Sequence, residues 1–486
     1  MSTAILKIKD EVNVKFEGLD VSTRRKISDK LKFFVPYAYH LPAYKLGRWD
    51  GNIRFCDIGA RTYLNLLDRI LPIIEENGYE IKIEDYRKNI EISFDKIDNQ
   101  YFSDKVWPAN HQLAGEPIIL RDYQVQVIND YISDPQSLQE VATGAGKTII
   151  TAALSKMCEK FGRTIVIVPN KSLVTQTEAD YKTVGLDVGV YFGERKELGH
   201  THTICTWQSL NNLNKKSKKS EADFPIDEFL DNVSCVMIDE VHMARADVLK
   251  TLLTGPFAGI PIRWGLTGTI PKEEFEQVSL EASIGKVSNK LSAKELQEKG
   301  VLANCHVNII QTQDMRSFRS YPEEVAYLVS DTTRLQFLSN LIEEMRPGGN
   351  TLILVDRIKS GEALADLIPD AVFIQGKTKL EDREEEYSEV ATEKHKVLIA
   401  TYGVAAVGIN IPRIFNLVLV EPGKSFVRVI QSIGRGIRKA EDKDHVQIWD
   451  ITSKCKYSKR HLTTRKRFYK EANYPYTVSK VNIWKF

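Results

Sequence analysis

Hydrophobic residues along this chain keep two different rhythms. Near the amino terminus the period is two: Val12, Val14 and Phe16 alternate with polar neighbours, as in a strand with one buried face. Ile53-Arg54-Phe55 and Thr62-Tyr63-Leu64 read as further strands around a Gly59-Ala60 turn, and Glu80-Ile81-Lys82-Ile83 as another. The Lys- and Arg-rich stretch 23–33 and the stretch 67–77, closed by Gly78, predict helices. Beyond residue 120 the apolar positions gather into short, β-branched runs. Those at 164–168 and 233–238 are nearly all apolar, as strands covered on both faces must be. A second series follows at 351–355, 372–374, 396–400, 416–420 and 445–449, with helical patterns at 332–346, 359–367, 381–391 and 425–434.

Two successive series of this kind predict two doubly wound α/β domains in tandem behind a small domain of mixed pattern. The expected divisions are 1–100, 101–300 and 301–486. Pro108, Asn110 and Gly115 make 100–118 a linker by composition. The segment 211–223 holds four lysines and little apolar content, and so reads as an exposed insertion.

Composition adds little to this picture. With 67 basic and 65 acidic residues the formal charge is +2, which neither demands nor excludes a polyanionic partner. No apolar run is long enough to span a bilayer, and the first ten residues lack a secretory apolar core, so a cytoplasmic protein is expected. Cys56, Cys158, Cys205, Cys235, Cys305 and Cys455 are scattered without a Cys-x-x-Cys pair, which points to reduced thiols rather than zinc or disulfides.

The chemistry starts at Val141-Ala142-Thr143-Gly144-Ala145-Gly146-Lys147-Thr148, between a predicted strand at 137–141 and a predicted helix at 147–160. Gly144 and Gly146 let backbone N–H groups approach phosphate oxygens, with Thr143 and Ala145 completing the loop, and the helix start adds its positive dipole end. Lys147 would reach the β- and γ-phosphates of ATP and Thr148 would hold Mg²⁺. The strict pattern has glycine at 141, where this chain has valine; a turn with no ligand is the plainer alternative, and the Lys-Thr ending argues against it. About ninety residues on, an apolar strand ends in Asp239-Glu240-Val241-His242. There Asp239 can hold the metal and Glu240 can polarise water, although an isolated acidic pair is more often a solvated turn. Gln431-Ser432-Ile433-Gly434-Arg435-Gly436-Ile437-Arg438 puts Arg435 and Arg438 on one helix face, suited to neutralising charge on a γ-phosphate or, more simply, to complementing a helix dipole.

These residues, in this order over about 120–440, resemble superfamily 2 helicases and translocases. Leu120-Arg121-Asp122-Tyr123-Gln124 is similar to the adenine-reading segment, with Arg121 and Gln124 the implied contacts. Pro169, Asn170, Lys171, Ser172, Thr175 and Gln176 stand in a stretch similar to the first strand-contacting motif, and Thr206, Trp207 and Gln208 in another. Leu266-Thr267-Gly268-Thr269 resembles the motif that couples hydrolysis to domain motion. Arg357, then Gly376, Lys377 and Thr378, then Thr401, fall in segments similar to nucleic-acid-facing motifs of the second domain. Gly408 and Asn410 lie where the family touches both strand and nucleotide, often with Asp in place of Asn410. The implied architecture is two tandem RecA-like parallel-sheet domains behind a small N-terminal α+β domain that binds DNA, using ATP and Mg²⁺. Hydroxyls of Ser172, Thr175, Thr206, Thr378 and Thr401 would grip phosphates without reading bases.

Asp239-Glu240-Val241-His242 and the compact second domain resemble the branch holding XPB-like translocases and the phage UvsW-type branch-migration helicases. Gly47-Arg48-Trp49-Asp50-Gly51-Asn52-Ile53-Arg54 resembles a segment of the small front domain of the latter. That resemblance implies action on forked and four-way DNA, in company with phage or host recombination and replication proteins. An RNA or RNA–DNA hybrid helicase, a motor subunit of a restriction-type complex and a scaffold with little hydrolysis remain open. Arg48 is a candidate DNA contact, whereas Trp49 suits core packing. From 454 to 486 ten Lys or Arg face one acidic residue, Glu471, with interleaved aromatics; a nucleic-acid surface and a solvated helix packing its rings inward are equal readings.

Overall fold

The computed structural model describes residues 2–88, 90–109, 113–241, 246–314, 316–408, 411, 413–425, 429, 433–434, 436 and 442–484. The chain divides into two compact units, Met1–Val141 with Gly146–Lys290, and Ala142–Ala145 with Leu291–Phe486.

The first unit opens with β1 (Ser2–Ile8), β2 (Asn13–Glu17), α1 (Val21–Lys30), β3 (Lys32–Phe34), α2 (Pro42–Lys45), β4 (Asn52–Arg54), β5 (Arg61–Tyr63), α3 (Leu71–Glu76) and β6 (Tyr79–Asp85). A four-stranded sheet runs β5-β2-β1-β6, with β6 parallel to β1 and the other neighbours antiparallel, while β3 and β4 form a separate antiparallel pair. The pattern predicted no strand at β1, yet Ala4, Leu6 and Ile8 alternate inward there. Helix α1 begins and ends earlier than 23–33: Asp20 caps it by accepting the Thr23 N–H at 2.8 Å, and Phe33 leaves to pair with Ile53. The stretch 67–77 breaks into a 3₁₀ turn, Leu64–Arg69, and α3, because Pro72 has no N–H to continue the ladder.

The front sheet shares its core with residues far along the same unit. Val278 and Ala282 belong to the same apolar cluster as Ala4, Leu6, Phe16 and Ile27, and Phe275 packs with Val35 and Ala38. Asn13 Nδ2 donates to the Thr254 carbonyl at 2.9 Å, and Gln136 Nε2 to that of Glu11 at 2.9 Å.

The α/β part of this unit comprises α4 (Asp122–Ser133), β7 (Gln136–Val141), α5 (Lys147–Cys158), β8 (Arg163–Val168), α6 (Lys171–Thr183), β9 (Val188–Phe192), β10 (Arg195–Lys196), β11 (His202–Thr206), α7 (Trp207–Lys218), α8 (Ile226–Phe229), β12 (Val233–Asp239), α9 (Ala246–Leu253), β13 (Ile262–Thr267), α10 (Glu274–Ser283) and β14 (Lys286–Leu291). The sheet order is β10-β9-β11-β8-β12-β13-β7-β14, and every neighbouring pair from β9 to β7 is parallel. The expected insertion at 211–223 is largely helix. In α7, Leu210, Leu213 and Asn214 fall at helical spacing and are buried, while Lys215, Lys216 and Lys218 complement the carboxyl end of its dipole. The density of lysines there masks the spacing of the leucines.

The second unit carries α11 (Ala293–Glu298), β15 (Asn304–Thr312), α12 (Tyr321–Leu328), α13 (Thr332–Met345), β16 (Thr351–Val355), α14 (Ile358–Leu367), β17 (Val372–Ile374), α15 (Leu380–Thr392), β18 (Val397–Thr401), α16 (Tyr402–Gly408), β19 (Asn416–Val420), β20 (His445–Ser453), α17 (Lys456–Glu471) and β21 (Tyr476–Val481). Its sheet, β17-β18-β16-β19-β20-β15-β21, is parallel throughout. The chain is thus α/β, with two parallel sheets behind a mixed one. Strand β15, half polar in sequence, was not anticipated; Cys305, Val307 and Ile309 supply its buried face. Among the described residues no helix is long and apolar enough to cross a membrane.

Candidate functional site

In an open α/β sheet, ligands sit beyond the carboxyl ends of the strands. At that edge of the first unit, β12, β13 and β7 are neighbours, so the segments after them converge. Gly144 and Gly146 take φ of 92° and 78°, in the left-handed region that a side chain resists. A Cβ on Gly146 would also lie 2.6 Å from Gln124 Nε2, so the loop and the predicted adenine reader are in close approach. Gln124 is buried, and its Oε1 accepts the Arg121 N–H at 2.9 Å; exposed Arg121 reaches the Tyr123 hydroxyl at 3.0 Å. Helix α5 begins at Lys147 with Gly146 as a cap lacking any side chain, which leaves its first N–H groups to an anion. Ala145 is buried behind the loop, and Thr143 is half-buried.

Lys147 Nζ makes an ion pair with Glu240 Oε1, both side chains being nearly buried. Glu240 holds φ of 51°, strained for a residue with a Cβ, and its N–H donates to Asp239 Oδ1 at 2.9 Å. Its Oε2 accepts the Gly268 N–H at 3.3 Å. Loop, acidic pair and the Thr267-Gly268-Thr269 turn thus meet around one glutamate. The sequence did not single out Asp180 on α6. Burial pushes its carboxyl up to about 6, against the opposing hydrogen bond from the Thr148 hydroxyl. No linear motif marks it; only the packing of α6 on α5 brings it to Thr148.

Thr148 and Asp239 offer oxygen donors at this corner, the chemistry a hard cation such as Mg²⁺ takes. His242, Asn410, Gln431, Arg435 and Arg438 lie outside the described residues, as does most of the helix predicted at 425–434; Gly408 closes α16.

A second group follows β8 and β11, which are also neighbours. Asn170 caps α6, accepting the Leu173 N–H at 3.1 Å, and Thr206 caps α7, accepting the Ser209 N–H at 3.3 Å. Gln208 Nε2 donates to the Pro169 carbonyl at 3.3 Å and ties the two segments together. Pro169, Asn170, Lys171, Thr206 and Gln208 line one cavity of about 520 Å³. Ser172, Thr175 and Gln176 lie along the first two turns of α6, and the Thr175 hydroxyl is turned back onto the Lys171 carbonyl at 3.3 Å. Trp207, also expected to contact a strand, is half-buried and packs against the apolar core of this unit.

The second unit repeats the arrangement. Arg357 follows β16, Gly376, Lys377 and Thr378 follow β17, and Thr401 ends β18, three adjacent strands of the sheet. Thr378 Oγ1 accepts the Gln375 N–H at 3.1 Å and Thr401 Oγ1 that of Val404 at 3.4 Å, while the Arg357 side chain is exposed. At the carboxyl terminus the two readings of the basic tail divide between faces of α17. Phe468 and Tyr469 are buried with Leu462, and Arg465 is locked onto Asp450 by two bonds of 2.8 Å, while Lys459, Arg460, Arg467 and Lys470 face outward. Between β3 and β4 Arg48 is exposed, and Trp49 packs beside Val35 and Phe275 with its Nε1 donating to the Asn52 carbonyl at 2.8 Å.

Residues 117–272 match the family model of the type III restriction enzyme res subunit, and residues 333–440 that of the helicase conserved C-terminal domain. The chain is 22% identical over 472 residues to the ATP-dependent DNA helicase uvsW of Enterobacteria phage T4, covering 92% of this chain and 90% of that one. It is 23% identical over 382 residues to the DNA 3'-5' helicase XPB of Kineococcus radiotolerans, covering 75% and 65%. The fold is shared with a fragment of a putative HsdR subunit of a type I restriction enzyme from Vibrio vulnificus, at 17% identity and a TM-score of 0.56 over 97% of this chain and 85% of that one. Two helicase modules in sequence, each on a parallel sheet, place the chain among the superfamily 2 helicases, and it is an ATP-dependent helicase of that family.

Proposed function

We propose that this helicase is a DNA translocase that remodels branched DNA, regressing forks and migrating four-way junctions, with Mg²⁺·ATP as fuel. The observation that carries the reading is the meeting of Lys147, Glu240 and Gly268 at one corner, in a chain similar over nearly its whole length to a phage DNA helicase. Lys147 binds the β- and γ-phosphates, and Thr148 with Asp239 holds the metal, which supplies charge neutralisation on the phosphates. Glu240 accepts a proton from the attacking water, and Gln431, Arg435 and Arg438 supply further charge stabilisation. Lys147 is the natural relay: held on Glu240 it restrains the base, and drawn to phosphate it releases it. Arg121, Gln124, Thr143 to Thr148, Gly408 and Asn410 bind the nucleotide. The helix starts at Asn170 and Thr206, with Arg357, Thr378 and Thr401, hold backbone phosphates, which suits a motor indifferent to base sequence. Residues 1–100 supply a further DNA contact through Arg48.

The restriction-subunit match supports a second reading, a motor for a partner nuclease. ATP hydrolysis and strand separation measured across forks, four-way junctions, linear duplex, RNA duplex and RNA–DNA hybrid separate the readings. Preference for branched DNA is expected; equal stimulation by long linear duplex favours the restriction motor, and stimulation by RNA alone overturns both. Arg438→Ala should leave nucleotide binding near wild type and lower turnover roughly a thousandfold, read by stopped-time hydrolysis against nucleotide titration; weakened binding with normal turnover would remove the finger role.

A further inference from the structure

The β3–β4 hairpin of the front domain is joined by the loop 35–51, and its rings do something core aromatics do not. Phe34, Tyr39 and Tyr44 form a mutual cluster, with centroids 5.2 Å apart for Phe34–Tyr39 and Tyr39–Tyr44 and 6.0 Å for Phe34–Tyr44. Two of the rings face solvent: Phe34 is 38% exposed and Tyr39 57%, beside Leu46 at 64%, while Tyr44 is half-buried beneath them against Val35, Ala38 and Phe275. A soluble domain rarely gathers several large apolar groups on its surface without a partner for them.

The backbone beneath is shaped to seat them. Gly51, at φ of 77°, lies under the rings, and a Cβ there would stand 2.5 Å from the Phe34 ring and 2.9 Å from that of Tyr44. Trp49 packs, like Tyr44, on the inner cluster of Val35, Ala38 and Phe275. The surrounding charge is cationic: Lys45 and Arg48 are exposed, and the one carboxylate of the loop, Asp50, is held by Arg54 at 2.6 Å.

We propose that Phe34, Tyr39 and Tyr44 form a stacking platform for the unpaired bases of single-stranded DNA, with Lys45 and Arg48 on the adjoining phosphates. Every base has a π-face, so rings grip a strand without reading it, and flanking cations supply the non-specific attraction. A protein partner would fit the rings equally, but a loop of exposed cations whose only acid is neutralised fits a polyanion. The inference deepens the DNA-binding role proposed for residues 1–100 and rests on it; it does not depend on the motor.

The test uses the full chain with a single-stranded oligonucleotide, a fork and a blunt duplex, the unpaired segments carrying 2-aminopurine, whose fluorescence is quenched by stacking. Tyr39→Ala is expected to abolish most of the quenching and weaken single-strand binding about tenfold, with blunt-duplex binding unchanged, while Tyr39→Phe keeps both. Gly51→Ala, which disturbs the seat rather than a ring, is expected to lose quenching as well. Wild-type quenching and affinity in Tyr39→Ala overturn the platform. So does a Tyr39→Phe variant as weak as the alanine one, an equal loss on blunt duplex, or a change confined to self-association in light scattering. DNA-stimulated hydrolysis by the wild type judges the motor separately: its absence beside intact quenching removes the motor and leaves the platform, and the converse removes the platform alone.

Discussion

Glu240 and Glu421 occupy matching places in the two α/β units. Each directly follows an interior strand of its sheet, β12 in one case and β19 in the other, each takes left-handed backbone at φ of 51° and 44°, and each is paired with a cation. Their surroundings differ. Glu240 meets Lys147, a single point charge on a flexible stem next to a glycine loop, and its second oxygen takes a long 3.3 Å bond from Gly268. Glu421 meets Arg334, itself fully buried and bonded to Thr312 Oγ1 at 2.6 Å, and also accepts from Ser458 at 3.2 Å. Beside it Arg465 and Tyr469 close on Asp450. Burial raises the Glu421 carboxyl above the usual range while Arg334 opposes the shift. A lysine can exchange partners without leaving a planar fork unsatisfied; an arginine held from several sides cannot. If Lys147 exchanges Glu240 for a phosphate as proposed, the same position serves exchange in one unit and cohesion in the other.

Substitutions can break this contrast. The largest effect is expected at the exchanging pair: Lys147→Ala should abolish ATP hydrolysis, and Glu240→Gln should reduce it nearly as far, with thermal unfolding close to wild type. If Glu240→Gln unfolds the protein, the contrast is wrong. Asp450→Ala in the second unit should instead cost about 3–5 kcal/mol of stability, because it strands the buried Arg465 charge; urea titration reads it, and an undiminished midpoint would show that the cluster holds nothing together. Arg334→Lys sharpens the point, with an expected loss of about 1–3 kcal/mol since one ammonium cannot serve both Glu421 and Thr312.

The smallest effect concerns the packing of the front sheet on α9 within the first unit. Lys250 lies over the Phe55 and Tyr63 rings at 4.2 and 5.2 Å, and burial lowers its pKa to about 8 from an ordinary 10.5. The folded state therefore sheds this proton before the unfolded state does, and stability should rise as pH climbs from about 8 to about 10.5. Urea midpoints taken at about pH 7.5 and about pH 9.5 should differ in this sense for the wild type and converge in Lys250→Met; an unchanged slope in the variant would place the titration elsewhere.

The strands that were legible beforehand are those covered on both faces, such as β8, β12 and β16, where most residues are apolar and many β-branched. Strands β1 and β15 were not, because both mix polar with apolar positions; β1 pairs with nearby β2 and distant β6, and β15 only with the distant β20 and β21. Helix α7 was obscured by its lysines, which lie on the solvent side of two buried leucines. The glycine loop, Lys147 and the Asp239-Glu240 pair could be singled out because each is a fixed set of residue types at fixed spacing along the chain, and the fold brings Lys147 and Glu240 together. Asp180 was not, since its tie to Thr148 crosses between two helices.

What the sequence determined alone is the set of local requirements: glycines where φ must be positive, a lysine and a hydroxyl opening a helix, acids ending an apolar strand, and two sheets' worth of buried runs. What the tertiary structure decided is which of these meet. Strand order β12-β13-β7 brings Lys147, Glu240 and Gly268 to one corner, burial sorts the tail's rings inward and its cations outward, and the seat at Gly51 holds the Phe34 and Tyr39 rings out over a half-buried Tyr44. Adjacency in a sheet is set by packing over the whole domain, so no local stretch of residues encodes it.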